Sequence, residues 1–443
     1  MPIKPEIQEK INKKLKQKII ESEVQSEIFS NKFKKIEEQV KKSLSDRQTD
    51  EALYDLTIWA LYLWVSDIHY EAYEKEVLVR FRIDWILVNI FSLTHSEYKN
   101  ILERLKYSAN LKLNITNIPQ DGKYDLKIKL KEWEKQKKLD VRVSTLPTKY
   151  WENVVSRLLD SSKAIVNFED LGFYWTSKRM LERAISQNSW MILVTWPTGS
   201  GKTTTLYTVL NKLNTPNKKI ITLEDPIEYE LPWVIQAEVD EKNGFTFSSW
   251  LKSLLRQDPD IIMVGEIRDE ETAKLAVEAS ITGHIVFSTL HTNSATHTIQ
   301  RLVNLWVDPL LISSSLKMII SQRLARKLCI HCKKSYIANE KQKNYILWEV
   351  WRYIKKRDDL KLYKACENWC EKCNYTWYSW RIWLYEILEM TDALESLLLQ
   401  NASRTKLEIQ AIWDGMVPIK QDWLLKVVLW ETSLEEVLSV LWT

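Results

Sequence analysis

The sequence predicts an α/β protein. It has a P-loop core built on a parallel sheet, a small N-terminal α+β domain, a cysteine-knuckle insertion and a helical C-terminal region. Three observations carry this. Residues 190–206, WMILVTWPTGSGKTTTL, run from an apolar strand through a tight loop into a helix. Four short apolar runs, Met191–Thr195, Ile220–Leu223, Ile261–Val264 and Ile285–Thr289, alternate with helical stretches, the pattern of strands covered on both faces of a parallel sheet. Two C-x-x-C pairs, Cys329/Cys332 and Cys370/Cys373, stand roughly 40 residues apart in a stretch rich in Cys, Lys and Tyr.

Five segments follow in order. Residues 1–45 read as a basic amphipathic arm. Ile11, Leu15, Ile19 and Ile20, then Ile28, Phe33, Ile36 and Val40, recur at helical spacing. Over Met1–Ser43, 11 lysines against 7 acidic residues give the arm +4. It suits a solvated lead-in or a helix lying on a membrane surface. Residues 46–150 form the α+β domain. Val77, Val79, Phe81 and Ile83 alternate with polar residues as a strand does, a helix follows over Glu97–Leu111, and further strands fall at Lys127–Leu130 and Leu139–Val143. The P-loop core takes 151–325, the cysteine module 326–385, and a helical region 386–443.

Composition sets the bounds. A chain of 443 residues with 45% hydrophobic content can bury two or three cores. A net charge of +4 gives no argument for a nucleic-acid partner. No run approaches the ~18 apolar residues of a membrane span, and Met1–Lys18 lacks the apolar centre of a signal peptide. Five cysteines clustered late in an otherwise intracellular-looking chain suggest metal rather than disulfides.

The chain has 21 Trp and 8 Gly, where ordinary usage gives roughly 31 glycines. Turns need residues that tolerate positive φ, and glycine is the default there. Trp instead occupies turn positions: Trp196 in the P-loop, Trp85 after Asp84, Trp151 before Glu152. Most Trp positions are therefore expected to be glycine. A UGA codon written as Trp by one translation table is read as glycine in some bacterial lineages.

The P-loop pattern G-x-x-x-x-G-K-[ST] is complete except for Trp196 at its first position. Pro197, Thr198, Gly199, Ser200, Gly201, Lys202, Thr203 and Thr204 follow. Backbone N–H groups and a helix N-terminus there face the phosphates of ATP, Lys202 reaches the β- and γ-phosphates, and the Thr203 hydroxyl holds Mg²⁺. DPDIIMVGEIRD, Asp258 to Asp269, is an apolar strand ending in carboxylates, the Walker B position, and Glu266 is placed to orient the attacking water. TLEDPIEYE sets Glu224, Asp225 and Glu228 at another strand tip; they either support Mg²⁺ and water or form a solvated turn. His284 and His291 flank a buried strand as phosphate sensors or as structural histidines. Arg142 and Arg157 precede the core and could neutralise charge on a γ-phosphate or lie at the surface. Cys329, Cys332, Cys370 and Cys373 suit a tetrahedral structural Zn²⁺, with Cys366 able to compete with Cys370 as fourth ligand.

These residues resemble the secretion ATPases of type IV pilus assembly and type II secretion. The matching stretches are SDIHYEAY, VRFRID, IPQDGK, RVSTLPT, VVSRLLD, the P-loop, TLEDPIEY, LLRQDPDIIMVGEIRDEETA, TGHIVFSTLHTNSA, LARKLCIHC, CNYTWYSWRIWLYEIL and DGMVPIKQDWLLKVVLWETSLEEVL, over about residues 50–443. The family has glycine where Trp85, Trp151, Trp196, Trp233, Trp306, Trp369, Trp377, Trp380 and Trp383 stand.

The resemblance implies a RecA-like core, a PAS-like first domain and a homohexameric ring at the cytoplasmic face of the inner membrane. ATP lies between the two domains, and its hydrolysis drives pilin assembly through an inner-membrane platform protein. The arm offers peripheral membrane association. By motif match, Lys202 and Thr203 bind phosphate and Mg²⁺, Glu266 is the catalytic glutamate, Glu224 to Glu228 form the Asp box, and His284 and His291 the His box. Arg142 and Arg157 resemble the phosphate-clasping arginines, and the four knuckle cysteines the zinc ligands. Retraction motors lack that zinc module, which counts against retraction. The chain departs from the family at Ser294, where an acidic residue is common, and the family's larger N-terminal domain has only the arm in its place.

Two other functions compete with a pilus or secretion motor. RecA-like cores also drive nucleic-acid translocation, but the near-neutral charge outside the arm and the lack of an aromatic-basic strip oppose that. An inactive scaffold follows if Trp196 is genuine, because an indole at the loop's first position crowds the bend.

Overall fold

The computed structural model describes residues 33–83, 86–128, 137–160, 166–187, 189–195, 200–240, 244–354, 360–366, 370–373 and 377–441. The chain divides into two units, Met1–Lys163 and Ala164–Thr443.

The first unit opens on helix α1, residues 33–45, and α2, Thr49–Tyr62. Strands β1, Val65–Ala72, β2, Val77–Ile83, and β3, Ile86–Leu93, precede α3, His95–Ser108. Strands β4, Gln120–Ile128, β5, Lys137–Pro147, and β6, Glu152–Asp160, complete an antiparallel sheet of order β3-β2-β1-β6-β5-β4. Two expected boundaries move. Phe33, Ile36, Val40 and Leu44 of α1 are buried in this unit's core, so the end of the arm is packed structure rather than a solvated lead-in. Residues 1–32 lie outside the described residues. The boundary at 150 also shifts, because β6 pairs with both β1 and β5 and closes the sheet.

The second unit holds α4, Trp175–Ile185, β7, Trp190–Thr195, α5, Lys202–Leu213, β8, Ile220–Glu224, and β9, Ile235–Glu238. Then come α6, Phe247–Leu254, β10, Ile261–Val264, α7, Glu270–Ile281, β11, Ile285–Leu290, α8, Ala295–Asn304, and α9, Pro309–Ser315. Strand β12, Leu316–Leu328, leads into β13, Lys334–Ile337, α10, Glu340–Val350, and β14, Lys361–Lys364, before β15, Tyr378–Glu389. Helices α11, Asp392–Leu399, α12, Arg404–Trp413, α13, Ile419–Val428, and α14, Leu434–Leu441, end the chain.

The sheet order is β15-β12-β7-β11-β10-β8-β9. Every pairing from β12 to β9 is parallel, and β15 joins antiparallel at the edge. All residues of β7, β8, β10 and β11 are buried. That explains their unbroken apolar runs, each Val, Leu or Ile contributing roughly 1.5–3 kcal/mol on burial. The expected boundaries at 325 and 385 both fall inside strands. β12 and β15 pair from Met318↔Glu389 to Leu328↔Tyr378, so the cysteine module is an insertion between two strands of the core sheet.

Among the described residues, ten other than glycine have positive φ, and six are Trp: Trp64, Trp233, Trp306, Trp377, Trp380 and Trp430. Three of these sit one residue past a helix C-cap. After α8, Trp306 N–H donates to Val303 O and Val307 N–H to Leu302 O; after α13, Trp430 N–H donates to Val427 O and Glu431 N–H to Lys426 O. This is the Schellman arrangement, which calls for glycine at the left-handed position. Asn110, Asn401 and Gly415 hold the same place after α3, α11 and α12. Trp233 follows Pro232 in a turn closed by Val234 N–H to Leu231 O, the turn form that needs positive φ at its third residue. Its side chain is 93% exposed and that of Trp306 77% exposed. These indoles gain little burial to offset a strained backbone.

Candidate functional site

The second unit gathers its chemistry at the carboxyl ends of four neighbouring strands. β7 delivers the P-loop, β11 leads to His291, β10 to Glu266 and β8 to Asp225, and these strands stand side by side in the order β7-β11-β10-β8. Ligands of open α/β sheets bind at this edge.

Trp196, Pro197, Thr198 and Gly199 lie outside the described residues. The second half of the loop is described. Gly201 caps α5 with φ 84°, a left-handed conformation that suits glycine. Lys202, Thr203 and Thr204 form the first turn of that helix, where free N–H groups and the dipole favour an anion. The Ser200 carbonyl accepts from Gln322 Nε2 of β12 at 3.0 Å. Burial pushes the Lys202 ammonium down to about 8, opposed by the Glu266 carboxylate. A bound phosphate favours the charged form, so nucleotide affinity should fall as pH rises through 8. We expect KM for ATP to climb above pH 8, by at most about tenfold per unit. A steady-state pH profile checks this, and a flat KM from pH 7 to 9.5 would contradict it.

Glu266 is two residues past β10. Its carboxylate meets His291 Nε2 at 3.1 Å and pairs with Arg268. The same guanidinium donates to Asp225 Oδ2 at 3.2 Å. Glu266, His291 and Asp225 thus form one network through Arg268 and the Glu266 carboxylate. Arg268 was missed, although it lies only two residues beyond Glu266 in GEIRD.

The other expected residues fall elsewhere. His284 is a correction: it precedes β11, while the site lies past the far end of that strand, roughly 20 Å along its six residues. Its Nδ1 contacts Ala279 O at 2.9 Å, and its carbonyl accepts from Trp190 N–H, so it is a structural histidine. Glu224 is buried. It accepts from Thr222 Oγ1 at 2.6 Å, from Gln236 Nε2 at 3.0 Å and from the Tyr207 hydroxyl, and burial raises its pKa. With its oxygens so engaged it anchors α5 to β8 rather than holding Mg²⁺ water. Glu228, in the loop beyond, lies near enough to raise the Glu224 pKa further. Arg142 and Arg157 belong to the first unit and face each other across β5 and β6. Arg157 Nε donates to the buried Asp67 at 2.9 Å, and Arg142 lies 3.9 Å from Asp140.

A cavity of about 650 Å³ opens among Leu171, Gly172, Arg381, Trp383 and Lys426. Lys426 is buried and donates to the Gly172 carbonyl at 2.8 Å. One of its lining residues, Trp383, also lies near the start of α5. A Cβ placed on Gly201 would lie 2.9 Å from the Trp383 indole nitrogen, which is buried without a partner. The indole at 383 therefore leaves no room for a side chain on the residue that turns the loop into α5.

Cys329, Cys332, Cys370 and Cys373 bring their sulfurs within 4.8 Å of one another. The Cys329–Cys370 and Cys332–Cys373 separations are 4.0 and 3.9 Å. Four sulfurs at Zn–S ≈ 2.3 Å on a tetrahedron stand about 3.8 Å apart, so the donor set fits Zn²⁺. Cys366 is outside this group.

The P-loop, the Walker B glutamate and the parallel sheet define a P-loop ATPase. The family described as "Type II/IV secretion system protein" matches residues 14–439. The "Type II secretion system ATPase E" of Vibrio cholerae is 41% identical over 375 residues, covering 85% of this chain and 72% of that one. The "Type IV pilus assembly ATPase PilB" of Pseudomonas aeruginosa is 42% identical over 372 residues, covering 84% and 64%. The chain belongs to the type II/IV secretion system protein family and is an ATPase of that class. Among solved structures, the pilus retraction motor PilT with bound ADP aligns with TM-score 0.60 and 26% identity over 87% of this chain and 96% of that one. The Legionella pneumophila ATPase DotB shares the fold, with TM-score 0.62 and 18% identity over 87% and 94%.

Proposed function

We propose that this chain is an ATP-hydrolysing motor that works as a homohexamer on the cytoplasmic face of the inner membrane. It powers type IV pilus assembly or type II secretion through a membrane platform protein. The observation that carries the reading is the Glu266 carboxylate, held by His291 and Arg268 two strands from the start of α5. In that role Glu266 orients water toward the terminal phosphate, Lys202 and the α5 N-terminus bind the phosphates, and the Thr203 hydroxyl holds Mg²⁺, which offsets their charge. Among the described residues no helix is long and apolar enough to cross a membrane, so membrane contact falls to a partner or to the arm. Magnesium-dependent ATP turnover together with a six-chain mass in sedimentation tests this. A nucleotide-bound monomer without turnover would contradict it.

The two relatives support both clients, one being named for type II secretion and the other for pilus assembly. The four cysteines support a structural Zn²⁺ that holds the insertion between β12 and β15 together. We expect one zinc per chain by elemental analysis. Changing Cys332 and Cys373 to Ser should abolish it and lower Tm by about 4 °C or more, equivalent to roughly 2 kcal/mol. Metal-free protein with an unchanged Tm would contradict this.

The motor reading requires glycine at 196. The six Trp at positive φ and the indole of Trp383 against Gly201 support glycine at the Trp positions generally.

A further inference from the structure

Glu386 in β15 is buried, and nothing in the hydrolytic scheme uses it. One carboxylate oxygen accepts from Ala295 N–H at 2.8 Å, the other from Ile419 N–H at 3.4 Å. These N–H groups open α8 and α13, helices that are far apart in sequence. The N-cap of α13 is Pro418, which offers no side-chain cap, so Glu386 takes that place.

Ala295 closes the segment that starts at His291. The same segment is fixed at its middle: Thr292 N–H donates to Thr195 Oγ1 at 3.1 Å, and the two threonine hydroxyls lie 2.5 Å apart. Thr195 is the last residue of β7, immediately before the phosphate loop. One short segment therefore carries His291 against Glu266, is pinned to the start of the loop, and is tied at its end to Glu386. Through Ile419 the same carboxylate holds α13, whose Lys426 donates to the Gly172 carbonyl.

We propose that Glu386 is a positioning residue of the hydrolytic site. Its carboxylate sets segment 291–295 so that His291 meets Glu266, and it joins that segment to α13. This rests on the motor reading above. Two backbone donors face two carboxylate oxygens, and an amide offers only one acceptor. Glu386→Gln therefore leaves one N–H opposite another donor with almost no change in shape. Glu386→Asp keeps both acceptors on a shorter stem.

The test is a double-mutant cycle with His291→Ala in the full-length protein, read by ATP turnover. Glu386→Gln should lower kcat about tenfold, since small misplacements of reacting groups are costly, and leave KM within about twofold. Adding His291→Ala should lower kcat little further, and Glu386→Asp should recover most of the rate. Effects that multiply, or an Asp variant as slow as the Gln variant, would overturn the proposal. The His291 ring is also followed by NMR in the same variants, which needs no turnover. Its ring chemical shifts should move in Glu386→Gln and return in Glu386→Asp, and unmoved shifts overturn the proposal. Unaltered protein without turnover would instead count against the motor reading and leave the NMR result to decide the role of Glu386.

Discussion

Protein made with glycine at 196 and 383 is expected to hydrolyse ATP at least about a hundredfold faster than protein made with Trp at both. Position 196 begins a loop whose backbone must curl close around phosphate, and a residue without a side chain leaves room for that approach. Position 383 acts near the start of α5. Its indole nitrogen would stand 2.9 Å from a Cβ at Gly201 and is buried without a hydrogen-bond partner. It thus excludes any side chain where the loop enters α5 and leaves a polar group unsatisfied beside it. A displacement of about 1 Å in groups that position substrate can reduce rate about a hundredfold, and two bulky rings beside one loop supply at least that. Steady-state ATPase assays on the two proteins check this, with fluorescent-nucleotide binding as a second readout. Equal rates would mean that the loop tolerates both indoles.

Glu266→Gln is expected to lower kcat by about 10²–10⁴-fold while KM for ATP stays within about threefold. The substitution keeps the shape of the side chain and removes its ability to accept a proton or orient water as an anion, a contribution of that size in general base catalysis. Phosphate binding falls to Lys202 and the start of α5; losing the Glu266 charge lets burial lower the Lys202 pKa further, a change the threefold allowance covers. His291 and Arg268 both face this carboxylate, so His291→Ala should show the same pattern more weakly, through the loss of orientation alone. Single-turnover kinetics with saturating ATP separate the chemical step from release. A Glu266→Gln protein with a near-normal chemical step would place the catalytic base elsewhere.

Much of this was legible in the sequence, for identifiable reasons. The buried strands β7, β8, β10 and β11 announce themselves because burial on both faces leaves no polar positions. The four cysteines are legible because two close C-x-x-C doublets are the spacing a four-thiolate site calls for. Less local features were hidden. The boundaries at 150, 325 and 385 missed because β6, β12 and β15 acquire their sheet partners from distant sequence. His284 and His291 look alike on paper, and only strand direction shows that one lies at the wrong edge. Glu224 reads as a surface acid until Tyr207 and Gln236 are seen to close around it. The roles of Glu386 and Lys426 carry no motif, since each depends on a backbone group brought near by the fold.

Fragment mass spectrometry of the protein isolated from its own cells reads positions 196, 306, 383 and 430 directly. The account predicts glycine at all four. Intact tryptophan at 196, in protein that turns over ATP at an ordinary rate, would contradict it.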